Sequence, residues 1–297
     1  MFIPELKYFK PETLDEVYRL LKSKENSAVL AGGTDILVEM KQGIRSLNNI
    51  ISLNKIISLK NIDTTTDSVI IGSCATHNQI AESNIIKKYL PALANAVLTI
   101  GTHQIRNTAT IGGNLCTCAS CADSAPILII YDALLEIGSD SGKRIVKATD
   151  FFVGHHINAL QKGELLLNII VPKPAEHFGA HFEKFGLRES ASISVASVAA
   201  GILLENEIIK EANVVIGACA PIPMKSEQAI SVLLNRNITD LTKDSELLKE
   251  VGEAAAQEVL PIDDIRASAE YRRNIVNVLT QRVVLKALSK INNIIKG

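Results

Sequence analysis

Two short stretches with adjacent glycines constrain the folding of this chain more than any other feature. They are Ala31-Gly32-Gly33-Thr34-Asp35 and Thr110-Ile111-Gly112-Gly113-Asn114, and each separates an apolar run from a segment compatible with a helix. Adjacent glycines let the backbone approach a bulky group closely and turn its N–H groups outward. Successive outward N–H groups form a concave anion site. Two such loops facing one another would grip a diphosphate from both sides, so the sequence predicts a dinucleotide cofactor, with FAD as the expected one.

The other common nucleotide-binding patterns are absent from the sequence. Neither glycine stretch matches Gly-x-Gly-x-x-Gly, and no Gly-Lys-Ser/Thr sequence is present, which argues against a Rossmann fingerprint and against a P-loop triphosphatase. An isolated Gly-Gly pair most often marks a tight turn. The functional interpretation therefore depends on the presence of two such stretches with similar flanks.

Length and charge exclude several classes of function. The 297 residues suffice for two or three domains, and the apolar fraction of 47% allows a large core. A net charge of −1 gives no electrostatic reason to expect nucleic-acid binding or an anionic membrane surface. No apolar run reaches the roughly 18 residues of a membrane span, and residues 1–7 do not resemble a signal peptide. We expect a cytoplasmic protein with no membrane span.

The pattern along the chain predicts an α+β protein in three parts. Residues 1–55 and 56–175 are each expected to form a small α/β subdomain, and the two would clasp FAD between them. A boundary is expected at Pro172 and Pro174, because prolines end a strand. Residues 176–297 are expected to form a three-stranded antiparallel sheet followed by helices.

Local patterns predict several elements near the glycine stretches. Ser27 to Leu30 is expected to be a strand, and Thr76-His77-Asn78-Gln79 is a capping box that should begin a helix. A helix is expected from Tyr89 to Ile100, with Gly101 as its C-terminal cap. Ile36 to Met40 is compatible with either a helix or a strand.

In the last part of the chain, apolar spacing predicts three strands and a long final helix. The strands are expected at residues 181–185, 195–204 and 212–218, and the helix is expected to contain Asp263-Asp264 as its cap. The residues expected on the apolar face of the final helix are Tyr271, Ile275, Val278, Leu279 and Val283.

Four local patterns, in this order, resemble one known family along nearly the whole chain. They are the first glycine stretch, the segment from Gly101 to Asn114, the segment Ala122-Asp123-Ser124-Ala125-Pro126, and Ser268-Ala269-Glu270-Tyr271-Arg272-Arg273. Together they resemble the FAD-binding medium subunit of the molybdenum hydroxylases, the family of xanthine, carbon monoxide and nicotinate dehydrogenases. The chain length also agrees with the separate-subunit form of that family.

The resemblance implies a set of cofactor-binding positions and no catalytic residue in this chain. The first loop would contact the diphosphate, the second would add the Asn114 side chain, and Lys184 with Arg188 would lie where the third part approaches the flavin. The positions expected to bind FAD are Val29, Leu30, Ala31, Gly32, Gly33, Thr34, Asp35, Ile100, Gly101, Ile105, Thr110, Gly112, Gly113, Asn114, Cys116, Thr117, Asp123 and Lys184. We also expect Gly112→Val or Gly113→Val to lose FAD, because a side chain would occupy the space of the diphosphate.

The resemblance further implies a multi-subunit oxidoreductase. A molybdopterin subunit would oxidise the substrate, a [2Fe–2S] subunit would pass electrons to FAD, and NAD(P)⁺ or another acceptor would receive them. An N-heteroaromatic such as nicotinate or a purine is the expected substrate. The alternatives are a subunit of an aerobic carbon monoxide dehydrogenase or of an aldehyde- or thioester-oxidising homologue, a stand-alone FAD oxidoreductase, and a binding subunit without cofactor.

The cysteines Cys116, Cys118 and Cys121 form a Cys-x-Cys-x-x-Cys pattern that is dense enough to suggest a metal site. A fourth ligand would have to come from Cys74 or Cys219, which are distant in the sequence. We therefore expect small buried thiols beneath the second loop and no metal in this chain.

Overall fold

The computed structural model describes residues 5–295 and confirms the α+β class. Its three larger sheets use residues 7–52, 62–172 and 178–225 in turn. None of its helices within the described residues has the length and apolarity needed to cross a bilayer.

The first sheet is parallel, with strand order β1-β3-β2. Its elements are β1 (Lys7–Phe9), α1 (Leu14–Ser23), β2 (Ser27–Leu30), α2 (Ile36–Gln42) and β3 (Asn49–Ser52). The first glycine stretch thus follows β2, as expected, and the segment with an undecided prediction is the helix α2. Gly43 ends α2 in the left-handed conformation, with φ of 75°.

The second sheet is antiparallel, with strand order β4-β5-β10-β6-β7, and helices cover it. Its elements and the small hairpin inserted in it are β4 (Ile62–Thr64), β5 (Ser68–Gly72), α3 (His77–Glu82), α4 (Asn84–Tyr89), α5 (Pro91–Leu98), α6 (His103–Arg106), α7 (Ile111–Thr117), α8 (Ser124–Ile130), β6 (Leu134–Ser139), β7 (Gly142–Lys147), α9 (Ala148–Phe151), β8 (Phe152–Gly154), β9 (Ile157–Asn158) and β10 (Leu165–Pro172). The second glycine stretch is the first turn of α7.

The region between Tyr89 and Gly101 differs from the expected single helix. Helix α4 ends at Tyr89 and a new helix, α5, begins at Pro91, because proline has no N–H to continue the hydrogen bonding of the preceding turn. The cap of α5 is Thr99 rather than Gly101. Gly101 lies beyond the cap with φ of 52°, so its left-handed conformation serves the turn into α6.

The third sheet is antiparallel, with order β11-β12-β13-β14, and has a fourth strand that was not predicted. Its strands and following helices are β11 (Phe178–Gly186), β12 (Ser194–Glu205), β13 (Ile208–Gly217), β14 (Met224–Lys225), α10 (Glu227–Leu233), α11 (Glu246–Glu258) and α12 (Ala269–Ile295). The two residues of β14 pair with Val215 and Ile216 after a proline-containing turn, and so short a strand leaves no periodic signal in the sequence.

The third sheet has apolar residues on both faces. On β12, Ala199 packs into the core shared with the second sheet, while Val198 packs with α11 and α12. The predicted face of α12 is partly wrong: Leu279 and Val283 are buried, but Tyr271 and Val278 are each 43% exposed. The buried face is rotated from the predicted one and consists of Val276, Leu279, Val283, Val284, Ala287, Leu288 and Ile291.

Candidate functional site

A cavity of about 360 Å³ lies between the first and second sheets, where the two glycine stretches meet. Most of the residues predicted from the sequence line it. These are Val29, Ala31, Gly32, Gly33, Thr34, Asp35, Ile100, Ile105, Thr110, Gly112, Gly113, Asn114 and Cys116. We call this cavity the cleft.

The first glycine stretch presents free backbone donors to the cleft. The amides of residues 32–35 donate to no acceptor within the described part of the chain, although all four residues line the cleft. Gly32 is placed tightly against the backbone of Thr108 and Ala109, so a Cβ there would overlap the Thr108 carbonyl. Gly33 has φ of 76°, which turns the chain toward α2. Unpaired amides in a concave loop form an anion site.

The second glycine stretch differs, because its amides are already paired. The N–H of Ile111 donates to the Ala75 carbonyl at 3.0 Å, and that of Gly112 donates to the Ser73 carbonyl at 2.8 Å. The N–H of Gly113 donates to Thr110 Oγ1 at 3.1 Å, which caps α7. The fold therefore uses these three donors itself. This corrects the expectation that backbone amides of both stretches would hold the diphosphate from two sides.

The glycines of the second stretch allow close packing of the wall of the cleft. A Cβ on Gly112 would lie 2.5 Å from the Ser73 carbonyl oxygen, and one on Gly113 would lie 2.9 Å from Thr110 Oγ1. In Gly112→Val the new side chain would therefore meet Ser73 first and push α7 away from it, which adds a second reason for loss of FAD to the one expected from the sequence.

Side chains connect α7 to its neighbours and leave one free donor in the cleft. Asn114 Oδ1 accepts from Ser124 Oγ at 2.6 Å, while its Nδ2 donates to no described acceptor. Thr117 Oγ1 donates to the Gly113 carbonyl at 2.9 Å and lies 3.4 Å from Asp35 Oδ2. Burial raises the pKa of Asp35, and the Thr117 hydroxyl partly opposes that rise.

Asp123 and Lys184 do not line the cleft but form a buried ion pair. Lys184 Nζ lies 2.8 Å from Asp123 Oδ2, and Ser194 Oγ donates to Asp123 Oδ1 at 2.5 Å. Burial raises the pKa of Asp123, while Lys184 and Ser194 act in the opposite direction. The pair fixes the start of α8 to strands β11 and β12, which joins the second part of the chain to the third.

A second cavity of about 530 Å³ lies beside this ion pair. Cys121 and Ser194 line it together with Arg266 and the buried Arg272. Helix α7 leads from the cleft to this second cavity, since Asn114 and Cys116 line the first while residues 119–121 line the second. The predicted residues Gly112, Gly113, Asn114, Cys116 and Thr117 therefore lie on the helix that connects the two cavities.

Three other predicted positions lie outside the lining of the cleft. Leu30 is buried in a core cluster with Met40, and Gly101 packs against Ile105. Thr117 faces Asp35 as described above. Arg188 is on the β11–β12 connection, where it donates to the Ala191 carbonyl at 3.1 Å.

Several residues of the cleft were not predicted from the sequence, because they carry no motif. They come from four separate parts of the chain and are Ile36, Arg45, Leu53, Ser73, Cys74, His77, Ala109, Leu160, Glu164, Leu165 and Leu166. The capping box at Thr76 and Gln79 is present as predicted, and it places His77 in the first turn of α3.

The cysteines of the Cys-x-Cys-x-x-Cys pattern point in different directions. Cys116 lines the cleft and Cys121 the second cavity, while Cys118 Sγ donates to the Ile157 carbonyl at 3.1 Å. Burial raises the pKa of Cys116 to about 12, so its thiol is protonated. Among residues 5–295, no cluster of three or more His, Cys, Asp or Glu side chains is arranged to hold a metal ion.

Two family models match consecutive parts of the chain. The model described as the FAD binding domain in molybdopterin dehydrogenase matches residues 4–174. The model described as the CO dehydrogenase flavoprotein C-terminal domain matches residues 180–287. The first match alone covers more than half of the chain.

Individual relatives agree with these models. The xanthine dehydrogenase FAD-binding subunit of Escherichia coli O157:H7 is 33% identical, with 95% of this chain and 96% of the relative covered. The glyceraldehyde dehydrogenase medium chain of Sulfolobus acidocaldarius is 29% identical, with 95% and 98% covered. A carbon monoxide dehydrogenase structure from Hydrogenophaga pseudoflava superposes with a TM-score of 0.92 at 26% identity, covering 97% of this chain and 99% of that one. The chain therefore belongs to the family of FAD-binding medium subunits of the molybdenum hydroxylases.

Proposed function

We propose that the cleft holds the diphosphate of FAD and that the chain relays electrons within a molybdenum hydroxylase complex. The observation that carries this proposal is the row of unpaired amides at residues 32–35, which lie in the cleft with no acceptor in the described chain. Residues 32–34 are half-buried and Asp35 is exposed, so their amides are open to the cleft, and a row of free amides in a concave wall fits an anionic ligand.

The residues of the chain bind and orient the cofactor. The amides of the first loop would donate to phosphate oxygens, and Asn114 Nδ2 would add a donor from α7. Apolar residues such as Val29, Leu53 and Leu165 exclude water from the same cleft. When bound, FAD supplies the redox chemistry, and the protein supplies binding, orientation and electrostatics. No general acid or base from this chain takes part.

The flavin ring is proposed to lie toward the third part of the chain, near Asp123 and Lys184. The direction of α7 supports this placement, since that helix runs from the cleft to the second cavity beside the ion pair. A fixed pair of opposite charges offers a donor and an acceptor to the polar edge of a ring, and its rigidity would orient that ring. We also propose that the remaining predicted positions, Ile100, Ile105, Cys116 and Thr117, contact the cofactor.

In the complex, a [2Fe–2S] subunit would deliver electrons to this chain, and NAD(P)⁺ or another acceptor would receive them. An N-heteroaromatic, such as a purine or nicotinate, is the proposed substrate of the molybdopterin subunit. The xanthine dehydrogenase relative, at 33% identity, supports a purine. The glyceraldehyde dehydrogenase relative at 29% and the carbon monoxide dehydrogenase structure at 26% support the alternatives, an aldehyde and carbon monoxide.

The test is to purify the native complex and measure its flavin, iron and molybdenum contents together. We expect all three elements of the relay in one assembly. Flavin without iron or molybdenum would instead indicate a stand-alone flavin oxidoreductase, and an assembly without flavin would contradict the proposal for the cleft. Reduction of NAD⁺ and NADP⁺ with xanthine, nicotinate, glyceraldehyde or carbon monoxide would then identify the substrate class.

A further inference from the structure

The wall of the cleft between β5 and α3 contains a buried histidine without any hydrogen-bond partner. His77 is 0% exposed, lines the cleft, and neither of its ring nitrogens meets a partner within the described residues. The neighbouring Ser73 hydroxyl is also buried in this wall and has no hydrogen-bond partner within the described residues. Burial raises the pKa of the adjacent Cys74 thiol, and the nearby Ser73 hydroxyl partly opposes that rise.

Within the described residues no hydrogen bond uses the ring nitrogens of His77, although its backbone N–H donates to the Ala109 carbonyl at 3.1 Å. The cap of α3 is made by Thr76 and Gln79, which bond to each other's backbone. The next residue, Asn78, bonds to Asn107 and to Arg106. A buried polar group without a partner destabilises a fold, and an apolar residue of similar size would avoid this. A buried histidine with an unpartnered ring in the wall of the cleft therefore points to a ligand there.

The protonation state of His77 determines which hydrogen-bonding groups a ligand needs in order to bind its ring. Burial, and secondly the positive charge of Arg106, lower the pKa of His77 to about 4, so its imidazole is neutral near pH 7. A neutral imidazole has one N–H donor and one nitrogen acceptor. A ligand that satisfies both ring nitrogens therefore presents one hydrogen-bond acceptor and one donor. The other charged groups that line the cleft are Asp35, Arg45 and Glu164.

The junction between the diphosphate and the sugar of a dinucleotide has both features. The amides of Ile111, Gly112 and Gly113 are already paired, so donors on this side of the cleft must come from side chains. We propose, on the basis of the proposed function, that His77 is an FAD-binding residue: its N–H donates to a diphosphate oxygen, and its second nitrogen accepts from an adjacent sugar hydroxyl. Ser73 Oγ adds a second donor from the same wall.

The test compares three variants of the full-length chain, each freed of flavin and titrated with FAD and with ADP, which shares the diphosphate and ribose. His77→Leu removes both hydrogen bonds and His77→Gln keeps a donor and an acceptor. His177→Leu is the matched control, because His177 Nδ1 is also buried without a described partner but His177 lies outside the cleft. We expect His77→Leu to weaken FAD and ADP alike, by about tenfold to a hundredfold, because hydrogen bonds to charged groups are lost. His77→Gln should recover part of that loss, and His177→Leu should bind as the unmodified chain does.

The thermal midpoint of the flavin-free chain distinguishes this role from a structural one. We expect the midpoint of His77→Leu to be unchanged or raised, since an unpaired buried polar group is removed. A lowered midpoint with unchanged FAD affinity would make His77 a structural residue and overturn the proposal. Weakened FAD binding with unchanged ADP binding would overturn the placement at the diphosphate. Failure of the unmodified chain to bind FAD at all would contradict the proposed function itself.

Discussion

The two glycine stretches look alike in the sequence but serve different purposes in the molecule. Residues 32–35 hold their amides free in the cleft, whereas the amides of residues 111–113 are bonded to carbonyl and hydroxyl oxygens of the wall behind them. In both stretches a glycine permits two backbone segments to touch, Gly32 against Thr108 and Gly112 against Ser73. A glycine pair therefore indicates that another group packs closely against the backbone. Only the folded structure shows whether that group is a ligand or another segment of the chain.

The first glycine stretch is therefore expected to bind the cofactor, and the second to support the wall of the cleft. Changes in the first stretch should lower cofactor affinity in addition to any loss of stability, and changes in the second should act mainly on the stability of the flavin-free protein. The following substitutions test that division.

The largest effect is expected for Gly32→Ala. The new Cβ would lie 2.2 Å from the Thr108 carbonyl oxygen, which should lower stability as at Gly112 and should also displace the row of free amides, so several hydrogen bonds to phosphate would be lost together. We expect FAD affinity to fall by about a hundredfold or more, the equivalent of roughly 3 kcal/mol. Titration of the flavin-free chain with FAD measures this. Ala28→Gly, on β2 just before the loop, is a control that changes a single methyl without the overlap.

Gly112→Ala should instead destabilise the protein. Its Cβ would lie 2.5 Å from the Ser73 carbonyl oxygen, which must move to relieve the overlap. Overpacking of this kind lowers the free energy of unfolding by about 1–3 kcal/mol. Chemical denaturation of the flavin-free chain measures it. If the free energy of unfolding were unchanged and FAD binding were lost, the second stretch would instead bind the cofactor directly.

A smaller loss of stability is expected for Thr110→Val, which keeps the shape of the side chain and removes the oxygen that caps α7. The Gly113 amide would lose its partner at 3.1 Å. Loss of a helix cap lowers the free energy of unfolding by about 1 kcal/mol. FAD affinity should change much less than in Gly32→Ala, and equal changes in the two variants would contradict the division.

The smallest effect concerns the charge of Asp35 beside the first loop. Burial raises the pKa of Asp35, so its carboxylate gains a proton more readily than an exposed one as the pH falls. Protonation removes a negative charge near the bound diphosphate, so FAD affinity should rise a few-fold as the pH is lowered from neutral toward the raised pKa of Asp35. Asp35→Asn should bind FAD slightly more tightly at neutral pH and lose this part of the pH dependence. A steeper pH dependence in Asp35→Asn would contradict the assignment.

Local sequence patterns predicted those parts of the structure that depend on near neighbours. The strand before Gly32, the capping box at Thr76 and the antiparallel strands after residue 176 all follow from residues within one element. The resemblance to a family added Asp123 and Lys184, which no local pattern connects, and the structure brings them within 2.8 Å of each other.

Features that depend on distant neighbours could not be predicted in this way. The pairing of the Gly112 amide requires the Ser73 carbonyl, which only the folded chain places beside it. His77 is part of a helix-start pattern, so the sequence offers no sign that its ring is buried and unpartnered. The face of α12 was misjudged because apolar residues such as Val278 also occur on its exposed side.

The two-sided burial of β12 has a practical consequence for anyone who shortens this protein. The domain boundary predicted near residue 175 separates two stretches of the chain. Ala199 and Val215, which follow it, nevertheless share a hydrophobic core with residues that precede it. A fragment cut at that boundary would expose a strip of apolar surface to water and should aggregate. Limited proteolysis of the intact protein should accordingly leave two nicked pieces that stay associated until denaturant is added.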